Sequence, residues 1–338
     1  MASTEPNLSA PIASGTRGGG QQHLLLLAPP LLTLLLAQLL FSLAFHGATD
    51  YLDVVWRQVG ASSPGDDLLI REATARFAWL GSAMLYFVAA LYAIVSCAAF
   101  LFRGLSGRQR STAFAACAVL CAAGLCLLFL QSRGAGAQRV VIFDFTWRSL
   151  QAFPGGLSPI FLDAVRSILL IINALAVIAP LFILVATCCT AARPPDAPED
   201  EAAHVADRLR HLKELSTTAV VMMVAGVLHM GAWLQWTAGL VADADHARRI
   251  AALAVAITSY WGTSFSLLAA VFFLPPALLM RGRAAAAMRE RGDGAVEVRR
   301  WLGDHGFATS PGQYLARAAM ILAPLVAAPV ADWVSKLG

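Results

Sequence analysis

Charged residues are scarce in this sequence. Asp, Glu, Lys and Arg together make up 14% of the 338 residues, whereas about 25% is typical of a soluble domain. Hydrophobic residues make up 58%, and the mean hydropathy is +0.65. A water-soluble fold of this size has too little interior to bury so much apolar surface. The composition therefore excludes a purely soluble globular protein and indicates an integral membrane protein.

Sequence motifs of common enzyme classes are also absent. There is no His-Glu-x-x-His helix, no Walker phosphate-binding loop and no Gly-x-Ser-x-Gly nucleophile turn. The apolar stretches lack the paired carboxylates that proton-coupled carriers use. These absences favour a passive pore, a sensor or scaffold, or an accessory subunit over an enzyme or a pump. Nothing in the sequence indicates a cofactor or a nucleic-acid partner.

Long apolar stretches recur along the chain. A helix needs about 20 apolar residues to cross the roughly 30 Å hydrocarbon core of a bilayer. Six stretches meet this requirement without a charged residue: Leu24–Phe45, Phe77–Phe102, Thr112–Leu130, Ser167–Thr190, Thr217–Val241 and Ile250–Met280. Each is continuously apolar, whereas the strands of a membrane barrel alternate apolar and polar positions. The sequence therefore predicts an all-α fold, a polytopic bundle of about six transmembrane helices in the surrounding lipid bilayer.

Two segments outside the spans have recognisable features. Residues 1–22 include a Gly-rich stretch without apolar periodicity and are predicted to form a disordered tail. Residues 193–216 begin after the fourth span and place Val205, Leu209 and Leu212 at helical spacing. They are predicted to form a cytoplasmic helical insertion within a six-helix domain that covers residues 23–280.

The C-terminal part, residues 281–338, is predicted to be a cytoplasmic segment followed by a membrane-associated helix. The apolar run Ala318–Ala331 is long enough for only half a bilayer, and Pro324 and Pro329 interrupt it. We therefore expect this helix to be interfacial or re-entrant rather than a seventh crossing.

The distribution of Lys and Arg predicts the orientation, because basic loops are retained on the cytoplasmic side. The richest loops lie between the second and third spans, between the fourth and fifth, and after the sixth. They contain Arg103, Arg108 and Arg110; Arg193, Arg208, Arg210 and Lys213; and Arg281, Arg283, Arg289, Arg291, Arg299 and Arg300. This pattern places both termini in the cytoplasm.

Hydroxyl side chains mark one face of the sixth span. A 3.6-residue period places Ser259, Thr263 and Ser266 together, and Ala252 and Ala256 extend the same face. These three residues are candidates for lining an aqueous pathway. The alternative is that these small hydroxyl residues pack against a neighbouring helix. For these three residues alone, the pattern favours helix packing over pore lining. Each such hydrogen bond contributes about 0.6 kcal/mol in a membrane.

A histidine in the fifth span is a second candidate site. Trp233 and Trp236 follow His229 at i+4 and i+7 on the same helix face. A membrane histidine can relay protons or bind a ligand, and the alternative is a satisfied structural residue. Asn173 in the fourth span, which is followed by the helix-kinking Pro180, is a further candidate. The vicinal Cys188 and Cys189 have no further ligand at a suitable spacing, so no metal site is predicted.

These observations lead to three functional hypotheses. The first is a homo-oligomeric pore or channel-like assembly, gated from the cytoplasmic side, with the sixth helix facing the pathway. The second is a non-conducting scaffold or accessory subunit that binds partner membrane subunits. The third is a membrane enzyme or redox protein centred on His229.

Overall fold

The computed structural model describes residues 22–45, 49–133, 136–192, 201–304 and 318–327. Within these ranges the chain forms helices and no strands. The helices are α1 (Ala28–Phe45), α2 (Thr49–Gly60), α3 (Asp66–Gly104), α4 (Gly107–Arg133), α5 (Phe145–Ala152), α6 (Pro159–Thr190), α7 (Glu201–Gly239), α8 (Ala244–Glu290), α9 (Ala295–Asp304) and α10 (Ala318–Ala327). A 3₁₀ helix, Gln22–Leu27, leads into α1, and a π-helix, Arg139–Asp144, leads into α5.

Six of these helices are long and apolar enough to cross a membrane: α1 with the end of the preceding 3₁₀ helix, and α3, α4, α6, α7 and α8. The predicted all-helical architecture with six such helices is therefore confirmed. Several of them run beyond the predicted spans. α7 has 39 residues and α8 has 47, whereas about 20 suffice to cross the hydrocarbon core. Both helices consequently extend well past the apolar stretches that the sequence defines.

The starts of α6 and α8 are set by side chains that cap the helix. Ser158 accepts a hydrogen bond from the backbone N–H of Phe161 at 3.2 Å, and Pro159 occupies the first helical position. Asp243 accepts one from the backbone N–H of His246 at 2.7 Å, which holds the pKa of the Asp243 carboxyl below its usual range. Such caps satisfy N–H groups that have no partner within the helix.

α7 lies at the centre of the bundle. It packs against α3 and α8, and α6 packs beside α3. α4 lies on α6 and α1 lies on α8, so both are peripheral. The buried share of the most apolar stretch reflects this arrangement, because it is 61% in α7 but only 17% in α1 and 11% in α4. Both helices expose many large apolar side chains, such as Leu35 and Leu39 of α1 and Leu127 of α4.

One end of the bundle, here called the Glu72 end, is closed by short helices. Residues from α2, the π-helix and α5 belong to one apolar cluster with Trp79, Trp233 and Trp236. Phe145 at the start of α5 is fully buried in this cluster. The short helices therefore form a cap over the ends of α3 and α7.

The opposite end, here called the Arg208 end, carries a helical extension. Val205, Leu209 and Leu212 of α7 are buried in one cluster with Met280 and later residues of α8 and with residues of α9. The helix predicted within residues 193–216 begins at Glu201 and continues unbroken into the long apolar part of α7. Residues 193–200 lie outside the described part of the chain.

Two arginines of this extension fasten the ends of other helices. The Arg208 guanidinium donates to the carbonyl of Gly104, the last residue of α3, and lies over the Phe100 ring. Arg283 donates to the carbonyl of Ala191 at 2.9 Å and to Glu201 at 2.5 Å. The last carbonyls of a helix have no intrahelical donor, and a cation there is also favoured by the helix dipole. These contacts join α7 and α8 to the ends of α3 and α6.

α10 packs against the membrane-spanning parts of α7 and α8. The backbone N–H of Leu325 donates to Ser266 at 3.2 Å, and Ala327 contacts the cluster around Val227. The fit is close at Gly262, where a Cβ would lie 2.6 Å from the carbonyl oxygen of Pro324. A larger residue at position 262 would therefore displace α10. The remainder of the predicted run, residues 328–331, lies outside the described ranges.

Candidate functional site in the aromatic core

His229 lies in α7 at the middle of the predicted span Thr217–Val241, and its side chain is buried. Two rings of α3 flank it. The Tyr86 ring is stacked on the imidazole with centroids 6.0 Å apart, and the Trp79 ring lies 6.2 Å away. Gly226, one turn before His229, makes room for Tyr86, because a Cβ there would lie 3.3 Å from Tyr86 Cε2. The site is thus formed between two adjacent helices of the same chain.

Two polar atoms in this cluster have no protein partner within the described residues. They are Nδ1 of His229 and Nε1 of Trp79, and both are buried. An unsatisfied buried donor or acceptor costs about 1–3 kcal/mol. Most buried polar atoms in proteins are paired with protein groups or with ordered water. Two exceptions on neighbouring rings require an explanation.

The two tryptophans that follow His229 on α7 belong to the same cluster. Trp79 lies 5.6 Å from Trp233 and 5.2 Å from Trp236, measured between ring centroids. Unlike Trp79, both have partners: Trp233 Nε1 donates to the Ile142 carbonyl at 2.7 Å, and Trp236 Nε1 donates to Glu72 Oε1 at 3.2 Å. These hydrogen bonds fix the α7 tryptophans in place.

A buried ion pair borders the aromatic cluster at the Glu72 end. Glu72 is only 2% exposed, and Arg76 Nε donates to its Oε1 at 3.0 Å, with a second contact from Nη2 to Oε2. The Arg76 guanidinium also lies 4.7 Å from the centroid of the Phe161 ring. Glu72 was not among the residues that the sequence indicated as a site. Glu72 precedes the predicted span Phe77–Phe102 and is paired with an arginine and not with a second carboxylate.

Hydroxyl groups attach α5 to α7 beside the site. Thr146 Oγ1 donates to the carbonyl of Trp233 at 2.8 Å, and Thr237 Oγ1 donates to Thr146 Oγ1 at 3.1 Å. Both threonines are completely buried. This link holds α5 over the tryptophans and closes the site toward the Glu72 end.

The predicted face of α8 is divided between two environments. Ser266 is buried and accepts the hydrogen bond from α10, whereas Thr263 is exposed on the outside of the bundle. Thr263 Oγ1 donates to the Ser259 carbonyl at 2.9 Å, and Ser259 itself is half-buried. Asn173 is half-buried on α6. The structure thus brings His229, Trp233 and Trp236 into one cluster, and it places the hydroxyl residues of α8 elsewhere.

Several cysteines approach one another nearer the Arg208 end. These are Cys97 of α3, Cys117 of α4 and Cys189 of α6. All three are buried in the same apolar cluster. Among the described residues, however, no three His, Cys, Asp or Glu side chains are arranged to hold a metal ion.

Comparison with known proteins gives no assignment. No protein-family model, curated protein or solved structure matches this chain. The function must therefore be inferred from the placement of its own residues.

Proposed function

We propose that the protein is a subunit of a homo-oligomeric membrane pore in which α8 of neighbouring copies lines the pathway. The observation that carries this proposal is a stripe of small and hydroxyl side chains on the outer surface of α8. Ala252, Ala256 and Thr263 are exposed and Ser259 is half-buried. Small residues at this spacing let membrane helices approach closely. Such a stripe suits close packing against α8 of another copy.

Large side chains in the bundle interior support a pathway between copies rather than through one chain. Trp79, Trp236 and Phe145 are fully buried, and α7 is the most enclosed of the long helices. The outer surface of α3, by contrast, exposes large apolar residues such as Met84 and Val88. That surface is suited to lipid, whereas the small residues of the α8 stripe suit close contact with a second copy.

Control from the Arg208 end is part of the proposal. α8 is continuous from the stripe to Glu290, and beyond Met280 it packs with α7 and α9. A ligand or partner that moves this extension would shift α8 along the proposed pathway. On the basis of the basic loops, we propose that this end and both termini lie in the cytoplasm. In this arrangement α10 is a re-entrant helix that enters from the cytoplasmic side.

The scaffold hypothesis uses the same stripe to bind a different membrane subunit, and flux measurements separate it from a pore. The third hypothesis, an enzyme or redox protein, is favoured by one observation, the unpartnered Nδ1 of His229. An absorption spectrum of the purified protein tests whether that nitrogen binds a coloured cofactor.

A cysteine at position 263 tests the pore directly, after the six native cysteines have been replaced by Ala or Ser. We expect Thr263→Cys to react with a water-soluble thiol reagent and to cross-link to a second copy, because the residue faces a water-filled interface. Val88→Cys on the outer surface of α3 is the matched control and is expected to stay unreactive. Thr263→Gln is expected to leave the protein folded and to change solute flux into liposomes.

The opposite set of results would contradict the pore. If Thr263→Cys neither reacts nor cross-links, and if flux is unchanged by Thr263→Gln, the stripe faces lipid. If the cysteine cross-links to a second copy while liposomes stay impermeable, the stripe joins copies without conducting, and the pore is contradicted.

Reporter fusions test the orientation. A reporter after Arg291 and one after Gly338 are expected in the cytoplasm, and one inserted near Gly155 is expected outside, because Arg-rich loops are retained inside. Reporters at Arg291 and Gly155 on the same side would contradict the six-span topology. A reporter after Gly338 on the opposite side from Arg291 would show that the C-terminal segment crosses the membrane.

A further inference from the structure

The unpartnered nitrogens of His229 and Trp79 lie on neighbouring buried rings, one on α7 and one on α3. An indole N–H can only donate a hydrogen bond, whereas a neutral imidazole nitrogen can either donate or accept. The two rings are therefore complementary to a molecule that accepts from one and donates to the other. Within the described part of the chain, no protein group fills this role.

We propose that one water-sized, neutral molecule binds between Trp79 Nε1 and His229 Nδ1. Water is the simplest occupant, since its oxygen accepts from the indole and one of its protons is donated to the imidazole. The centroids of the two rings lie 6.2 Å apart, so the rings are direct neighbours. The arrangement places the ring proton of His229 on Nε2.

The surroundings of the site favour a small neutral occupant over an ion. Tyr86, Trp233 and Trp236 supply mainly apolar ring surface around the two nitrogens. The carboxylate of the cluster, Glu72, is already bonded to Arg76 and Trp236. A cation would therefore find no free counter-charge there, whereas a single water gains partners for both of its roles. Buried waters in proteins occupy such polar positions.

The site lies within one chain, so it does not depend on the proposed pore. The proposal predicts that the Trp79 N–H is hydrogen-bonded to the bound molecule, since none of the described residues accepts from it. Replacing Trp79 with 3-benzothienyl-alanine, which has sulfur in place of N–H and nearly the same shape, removes only this donor. We expect the melting temperature of the full-length protein in detergent to fall by about 2–4 °C.

Two other tryptophans provide matched controls. Trp236 donates to Glu72, so the same replacement at position 236 is expected to lower the melting temperature. Trp261 is buried, its Nε1 has no partner among the residues that the structure describes, and its ring neighbours are Phe41, Tyr260 and Phe265. At position 261 the replacement is expected to leave the melting temperature unchanged or to raise it, because an unpaired donor is removed.

Nitrogen-15 NMR of histidine-labelled protein in bilayers identifies the occupant. The His229 signal, assigned by its loss in His229→Gln, is expected to show a proton on Nε2 and magnetisation transfer from water to Nδ1. If the sulfur analogue at position 79 behaves like that at position 261, and if no transfer from water is seen, the proposed site is empty and the inference is wrong.

Discussion

Replacing Arg76 with Ala is expected to lower the free energy of unfolding by about 3–5 kcal/mol, the range found when one partner of a buried ion pair is removed. Arg76 is the cation that neutralises Glu72, whose side chain is only 3% exposed. Without it, the carboxylate stays buried next to apolar rings with Trp236 Nε1 as its remaining donor. The measurement is chemical unfolding of the variant in detergent micelles.

Glu72 and Arg76 differ in burial, so removing one of them is expected to cost more stability than removing the other. The Arg76 side chain is 32% exposed, so after Glu72→Gln it can still reach polar surroundings. The Gln amide also keeps an oxygen that accepts from Trp236. We therefore expect Glu72→Gln to destabilise less than Arg76→Ala and the double variant to recover part of the loss. Equal losses in the two single variants would contradict this asymmetry.

Arg71 provides a matched control on the same helix. It pairs with Asp67 at 3.1 Å, but the Asp67 side chain is 87% exposed. Exposed ion pairs contribute about 0–1 kcal/mol, so Arg71→Ala is expected to have a small effect. A large loss at position 71 would show that any truncation at this end of α3 is destabilising, and the Arg76 result would then carry no specific meaning.

The ion pair illustrates what the sequence does not reveal about the site. Glu72 precedes the predicted span Phe77–Phe102 and looks like a loop residue, because hydropathy identifies only the apolar part of a helix. Its burial results from Trp236, a residue 164 positions later in the chain, and from the helices that cover this end. The available signal was the i,i+4 spacing of Glu72 and Arg76, but that spacing also occurs on solvent-exposed helices.

The six-helix architecture could be predicted from the sequence, because a bilayer requires long uninterrupted apolar runs that are visible in the sequence itself. The grouping of His229 with Trp233 and Trp236 could also be predicted, since residues at i, i+4 and i+7 share a face of any α-helix. The place of Trp79 in the cluster could not be predicted from the sequence, because Trp79 joins the cluster only through the packing of α3 on α7. Periodicity predicts which residues share a face but not which helix that face meets.

The hydroxyl residues of α8 show the same limit in a different form. Ser259, Thr263 and Ser266 share a face by spacing, yet Ser266 is buried under α10 and Thr263 is exposed. A short C-terminal helix thus divides a stripe that looks uniform in the sequence. The apolar run of α10 was evident, but its contact with Gly262 depends on how that helix docks.

Replacing Arg208 with Ala is expected to lower the free energy of unfolding by about 2–3 kcal/mol. Arg208 is buried, and its guanidinium donates to the terminal carbonyl of α3 at Gly104. Hydrogen bonds from charged donors contribute about 1.5–3 kcal/mol, and the contact with the Phe100 ring adds to this. Unfolding in detergent micelles, monitored by circular dichroism, gives the difference from the unmodified protein.

Arg208→Lys and Arg210→Ala make the result specific. Lysine keeps the charge but lacks the planar fork with which Arg208 contacts Gly104, His204 and the Phe100 ring together, so we expect only partial recovery.

Arg210, two residues further along α7, has a 69% exposed side chain paired with Asp207, and its truncation is expected to change the stability by at most about 0.5 kcal/mol. If Arg210→Ala were as destabilising as Arg208→Ala, the loss would reflect helix propensity or net charge. If only Arg208→Ala were destabilising, the link between the extension of α7 and the end of α3 would be a structural requirement of the bundle.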